Sequence, residues 1–266
     1  MGVLAFILIF VLGTIIGSFL NVVIFRYNTG RSVVSGRSQC LSCSKILRWH
    51  ELIPILSFLI QGGRCRKCLS RISAQYPAVE LLTGLLFVLI VNLGLPLELT
   101  LLYFVIFSLL LVITAYDLRH KIIPDGLVLA FAALSLLRLF LISVRLAPPL
   151  AGFDWPVFAK GIVSGVLLFS ALGLIWFLSR GRLMGLGDAK LALGTGLLLG
   201  FHGGVSALIL AFWSGAAAGL LLILLSRLSR RRSYFTIKSE MPFAPFIIFG
   251  VLLNLFFHLD VLAFIK

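Results

Sequence analysis

Long uncharged, apolar runs separated by short basic segments set the pattern of this chain. Such runs occupy 1–25, 81–97, 99–116, 161–179 and 241–259, with a longer one at 191–226. A membrane-crossing helix needs about 20 apolar residues to traverse a hydrocarbon core of about 30 Å, so the five shorter runs each read as one span. A transmembrane β-barrel would instead show segments of about ten residues with alternating polarity.

The basic residues orient these spans. Segment 26–77 carries nine Lys or Arg against the acid Glu51, which puts it in the cytoplasm and the N-terminus outside. Alternation then brings 117–126, 180–190 and 226–240 to the same side, and 19 of the 23 Lys and Arg residues fall inside; Arg138, Arg145, Lys160 and Lys266 do not. The run 191–226 has basic, cytoplasmic flanks at both ends, so it must cross an even number of times. As one helix it would reach roughly 54 Å at about 1.5 Å per residue, too long for a single crossing. Two crossings follow, with His202-Gly203-Gly204 as the external turn. Because 191–200 alone cannot cross, the sixth helix must begin near Gly185. Pro148-Pro149 with Gly152 marks another external loop, between the fourth and fifth spans. The expected fold is an all-α polytopic membrane protein of about eight helices: a first helix over 1–25, a cytosolic domain over 26–77, and a seven-helix core over 78–266.

Composition agrees. With 61% hydrophobic and 12% charged residues and a mean hydropathy of +1.14, 266 residues cannot hide their apolar surface in a soluble core, and lipid is the solvent. The first run is longer than a secretory signal core and lacks a basic segment ahead of it, so it reads as a retained span. The net charge of +14 does not call for nucleic acid, because the cations lie where the positive-inside rule puts them.

All four cysteines lie in the cytosolic segment, as Cys40-Leu41-Ser42-Cys43 and Cys65-Arg66-Lys67-Cys68. Two CxxC pairs at this separation are the pattern of a tetrahedral structural zinc site. The alternative, a pair of disulfides, conflicts with a reducing cytosol. Nearby Arg48, Arg64, Arg66 and Lys67 would offset the negative charge of a zinc tetrathiolate. A unit of about 50 residues has too little core to fold alone, so the metal is expected to order it.

Two acids fall at the edges of spans. Asp117 closes the third, in Ala115-Tyr116-Asp117-Leu118-Arg119, and Asp188 opens the sixth, in Gly185-Leu186-Gly187-Asp188-Ala189-Lys190. Each alone has a plain reading, Asp188 as an acid facing a helix dipole and Asp117 as a partner of Arg119 or Lys121. Together at one depth they suggest a pair of carboxylates sharing a proton, because like charges a few ångströms apart resist joint ionisation. Gly185 and Gly187 allow tight turning and close approach of a peptide, and Lys190 is a further substrate-positioning candidate. Asp125 reads as an ordinary acid at the start of the fourth span. Glu80, at the start of the second, either complements the helix dipole or lies near a second reaction site. The four histidines show no metal-ligand spacing.

Taken in order, these segments resemble the type IV prepilin peptidase family. The resemblance runs through Gly17-Ser18-Phe19-Leu20-Asn21-Val22-Val23 with Arg26, the CxxC pairs, Ile53-Pro54-Ile55-Leu56-Ser57-Phe58, Gly63-Arg64-Cys65, Tyr76-Pro77-Ala78-Val79-Glu80, Ile123-Pro124-Asp125, GLGDAKL at 185–191, and Pro242-Phe243-Ala244-Pro245-Phe246. Ala244 stands where the family usually has glycine, and the first CxxC lacks the proline often found after its first cysteine. The resemblance implies an inner-membrane, GxGD-type aspartyl endopeptidase whose catalytic pair falls on Asp117 and Asp188. Its substrate would be a prepilin or pseudopilin with a short basic leader, and the new N-terminus would be methylated from S-adenosylmethionine. Glu80 is then a candidate near the methyl-transfer site, and Glu51 or Glu240 are possible receivers of the basic leader. The rival classes are a dedicated peptidase without methyl transfer, an ion-coupled transporter using the two aspartates as proton carriers, and a non-catalytic subunit of a secretion machine. A transporter should show acids near the midplane and broken helices in paired halves, which this sequence does not clearly do.

Overall fold

Inside lipid a backbone finds no water to bond, so an apolar run must satisfy its own N–H and C=O groups as helix. The computed structural model of the chain, which describes residues 2–145, 152–228 and 241–264, follows that rule. Pro148-Pro149, Glu240, Lys266 and the cations Arg230, Arg231, Arg232 and Lys238 lie outside the described residues. The helices are α1 (Val3–Arg26), α2 (Leu56–Ile60), α3 (Gln75–Asn92), α4 (Leu97–His120), α5 (Asp125–Arg145), α6 (Trp155–Ser179), α7 (Leu186–Leu228) and α8 (Ala244–Phe257). Among the described residues six helices are long and apolar enough to cross a membrane, and α8 is a shorter apolar helix.

The long α7 is two helical arms in one. Gly200 breaks it with φ 73° and ψ −174°, a conformation open essentially to glycine alone. A Cβ placed on Gly204 would lie 3.4 Å from the Cα of Gly196. In a straight helix those eight residues span about 12 Å, so the chain folds back on itself. The fold-back is compatible with an even number of passes, and counting the two arms separately gives eight apolar helical segments among the described residues. The position of the turn is corrected: it is Gly200, whereas His202-Gly203-Gly204 are helical. One glycine with the right torsions suffices, and the Gly-Gly pair serves packing, Gly204 against Leu168 and Gly203 against Asn254.

The chain forms two compact units, Met1–Val112 and Ile113–Lys266, each described by itself. In the first, α1 packs against α3. Phe25 stacks on Tyr76 with ring centroids 4.8 Å apart, and Asn21 Nδ2 donates to the Tyr76 carbonyl at 3.1 Å. The Arg26 guanidinium gathers the following loop by donating to the carbonyls of Ser32 at 2.7 Å and Ser35 at 2.9 Å. The α3 boundary differs from the sequence reading: the helix starts at Gln75, so Glu80 lies a turn and more inside it and does not face its N-terminal dipole. In the second unit, α7 packs on α5, α6 and α8.

Candidate active site

Asp117 lies in the last turn of α4, which stops because Lys121 adopts a left-handed φ of 55° and Pro124 follows. Asp188 is the third residue of α7. Both side chains are buried, at 3% and 7% residue exposure, and each is the more costly for being ionisable. Their surroundings differ. Asp117 Oδ2 accepts the backbone N–H of Ala244 at 3.2 Å, from the start of α8. Asp188 Oδ2 accepts the N–H of Gly185 at 3.3 Å, reaching back over its own helix start as half of a capping box. Asp188 Oδ1 is buried with no hydrogen-bond partner among the described residues. The plain reading of Asp188 as a helix-start acid therefore holds for one oxygen, and the other is left over for something else.

The GLGD glycines have separate uses. A Cβ on Gly187 would fall 2.9 Å from Cβ of Ile123, so glycine there lets the α7 start close onto the segment that follows Asp117. Gly185 supplies the N–H that Asp188 takes. Lys190 is bridged to Asp125 at 2.6 Å, which gives the supposedly ordinary acid of α5 a partner 65 residues away. That pairing, like the Ala244 bond to Asp117, carries no sequence signature.

The four cysteines converge: their Sγ atoms all lie within 4.8 Å of one another, and none is in a disulfide. Cys40 and Cys68, from different CxxC pairs, are 3.8 Å apart. A tetrahedron with Zn–S distances of about 2.3 Å has edges of about 3.8 Å, so the donor set fits a zinc ion. Two matching turns present it. In the first, Cys40 N–H donates to Lys45 O, Ser44 N–H donates to Cys40 O, and Ser44 has φ 55°. In the second, Cys65 N–H donates to Ser70 O, Leu69 N–H donates to Cys65 O, and Leu69 has φ 57°. The Cys43 N–H draws the Cys40 thiol down to about 6, and the Ser70 hydroxyl lowers Cys68. The Lys45 N–H pulls Cys43 the same way, but burial and the three neighbouring thiols push it up to about 11. This is the crowding of negative charge that a cation relieves.

Two further acids, in the first unit, are engaged. Glu51 is buried, accepting from Lys45 Nζ at 2.7 Å and from the Arg48 N–H at 2.9 Å, so it is not open to receive a basic leader. Glu80 is buried between α1 and α3, accepting the Ile55 N–H at 2.7 Å, with the Ser18 hydroxyl also at its carboxylate.

Fold and sites together define a polytopic helical membrane protein with a buried acid pair in one unit and a four-cysteine cluster in the other. Comparison with known proteins narrows the class. Residues 11–93 match the family described as Bacterial Peptidase A24 N-terminal domain, and residues 104–222 match the Type IV leader peptidase family. The chain is 33% identical over 258 residues to the prepilin leader peptidase/N-methyltransferase of Bacillus subtilis, covering 97% of this chain and 96% of that protein. It is 36% identical to the protein of the same name from Myxococcus xanthus, over 84% of this chain and 64% of that one. The Klebsiella pneumoniae protein of that name is 35% identical over 76% of this chain and 89% of its own. No solved structure matches. The chain belongs to the type IV leader peptidase family.

Proposed function

We propose that this chain is a membrane-embedded aspartyl endopeptidase that removes the short basic leader of type IV prepilins or pseudopilins at the cytoplasmic face of the inner membrane, and that it then methylates the new N-terminus. The observation that carries the reading is that Asp117 and Asp188 are both buried in the same compact unit, with one oxygen of Asp188 left without a hydrogen-bond partner among the described residues. The pair holds one proton. The ionised carboxylate takes a proton from water as the water oxygen bonds to the scissile carbonyl carbon, and the protonated one donates to the carbonyl oxygen. Collapse of the tetrahedral intermediate breaks the C–N bond: the leaving amine takes the proton that the first carboxylate drew from water, and the second carboxylate recovers its own from the hydroxyl as the new carbonyl forms. The roles of base and acid belong to the pair, which titrates as a unit. The Ala244 N–H fixes one carboxylate and the Gly185 N–H the other.

Membrane orientation follows from the distribution of cations, with the N-terminus outside and both aspartates at the cytoplasmic boundary. A prepilin fits such a boundary, since its leader is soluble and the segment beyond the scissile bond is apolar. Glu51, Glu80 and Asp125 all have partners, Asp125 being exposed and bridged by Lys190. Zinc is the structural ion proposed for the four cysteines. Methyl transfer from S-adenosylmethionine is supported by the relatives' name, prepilin leader peptidase/N-methyltransferase.

The test is to incubate the purified chain in detergent with a cognate prepilin and S-adenosylmethionine and weigh the product. Loss of the leader plus one methyl group is expected. A cleaved, unmethylated product leaves a dedicated peptidase, and intact prepilin contradicts the reading in favour of a transporter or assembly subunit.

A further inference from the structure

The segment between the two CxxC pairs is held in an unusual way. Ile55 has φ 60° and ψ −53°, and the N–H of Leu56 donates to the Pro54 carbonyl across it. This is the strained form of the γ-turn, and a β-branched residue is the least suited to it. What the turn achieves is to aim the Ile55 N–H at Glu80, which accepts it at 2.7 Å.

That bond fixes a height. Glu80 lies five residues inside the Gln75 end of α3, about 7.5 Å along its axis. On α1 it is level with Gly17, where an added Cβ would fall 2.7 Å from the Glu80 Cα. Gly17 is nine residues short of the Arg26 end, about 13 Å. Ile55 therefore sits roughly 10 Å below the ends of the two helices it joins, beside them and not beyond them. As α1 is about 36 Å long against a hydrocarbon core of about 30 Å, that height lies within the headgroup and outer acyl zone.

At that height the segment turns apolar side chains outward. Trp49, Leu56, Leu59 and Ile60 are 77%, 56%, 65% and 73% exposed, and α2 is too short to hide them against its own backbone. Exposed cations flank the patch at Arg48 and Arg64. An apolar stretch with a tryptophan, edged by arginines and tied beside the ends of two spanning helices, has the chemistry of a lipid interface.

We propose that residues 49–60 form a membrane foot: the loop carrying the four cysteines is not wholly extramembrane but inserts this segment into the headgroup and acyl boundary, with the Ile55–Glu80 bond as its pin. The occupant of the apolar patch is bilayer lipid. The foot holds the cysteine cluster at a set height relative to the bilayer whatever reaction the protein carries out, so the proposal stands apart from the enzymatic reading.

The test uses the full chain, with its metal, in nanodiscs of phosphatidylcholine and phosphatidylglycerol, comparing wild type with Trp49→Phe. The difference between them isolates Trp49 emission, and Leu59→Trp in the Trp49→Phe background gives a second, independent probe. Both probes should be quenched strongly by acyl-brominated lipid and weakly by aqueous acrylamide. Adding Glu80→Gln should move them toward acrylamide, because the amide weakens the pin. Quenching by acrylamide and not by bromolipid would place the segment in water and overturn the foot. Protection from both quenchers would overturn it as well, since protein, from a second copy or elsewhere in the chain, would then cover the patch.

Discussion

Asp117 Oδ2 accepts the backbone N–H of Ala244, 127 residues further along the chain, at 3.2 Å. A family position usually held by glycine thus contributes a main-chain donor, and alanine keeps it. The Ala244 methyl group is fully buried. Ala244→Gly should leave cleavage nearly unchanged, at a stability cost of about 0.5–1 kcal/mol. Ala244→Leu overpacks the same spot, costs about 1–3 kcal/mol, and displaces the donor from Asp117. Cleavage by Ala244→Leu, measured under conditions where it stays folded, should fall well below that of Ala244→Gly; equal rates would contradict this use of the N–H.

Gly187 has no room for a side chain against Ile123. Gly187→Val should push the α7 start away from the segment following Asp117 and so separate the two carboxylates. Cleavage is expected to drop by at least about tenfold, the effect of roughly 1.4 kcal/mol in a barrier, with thermal unfolding shifted only modestly. An active Gly187→Val variant would mean that closure at this point is not needed.

Metal analysis should find one zinc per chain, lost in Cys40→Ser or Cys65→Ser. Structural zinc sites are worth on the order of 10 kcal/mol of folding, far more than a 50-residue unit derives from its core. Removal should therefore unfold the segment between α1 and α3 and spare the spans. Hydrogen exchange would show this as faster exchange confined to that segment; unchanged protection there after metal removal would rule out the ordering role.

Glu51 tests the same segment by pH. The Arg48 N–H, then Lys45, hold its carboxyl below the ordinary 4.5. A carboxyl lowered on folding contributes stability that is present above the unfolded value and is lost as pH falls through the folded one. The segment should lose stability below about pH 4.5, and Glu51→Gln should flatten that part of the profile after the shared loss of metal is subtracted. Parallel profiles for the two proteins would show that the Lys45–Glu51 pair does not matter.

Much of this was readable from the sequence, and the rest has physical reasons for being hidden. Spans and parity follow from lipid chemistry, which is why the fold-back within 191–226 and the start of α7 beside Gly185 could be anticipated. The turn itself could not, because Gly203-Gly204 looks like a better loop than a single Gly200. Reading spans as uncharged runs placed Glu80 at a helix start; a carboxylate can sit deeper when a main-chain N–H 25 residues away satisfies it. The cysteine cluster was legible because metal ligands must be side chains with fixed spacing. The bonds from Ala244 to Asp117 and from Ile55 to Glu80 were not, because any residue has an N–H.

The aspartate pair is the centre of this account, and replacing each acid by its amide tests it most directly. Prepilin cleavage by purified Asp117→Asn and Asp188→Asn should fall by about 10²–10⁴-fold in each. The double variant should be little worse than the poorer single one, because the two act as a unit. Cleavage at the wild-type rate in both single variants would contradict the aspartyl mechanism.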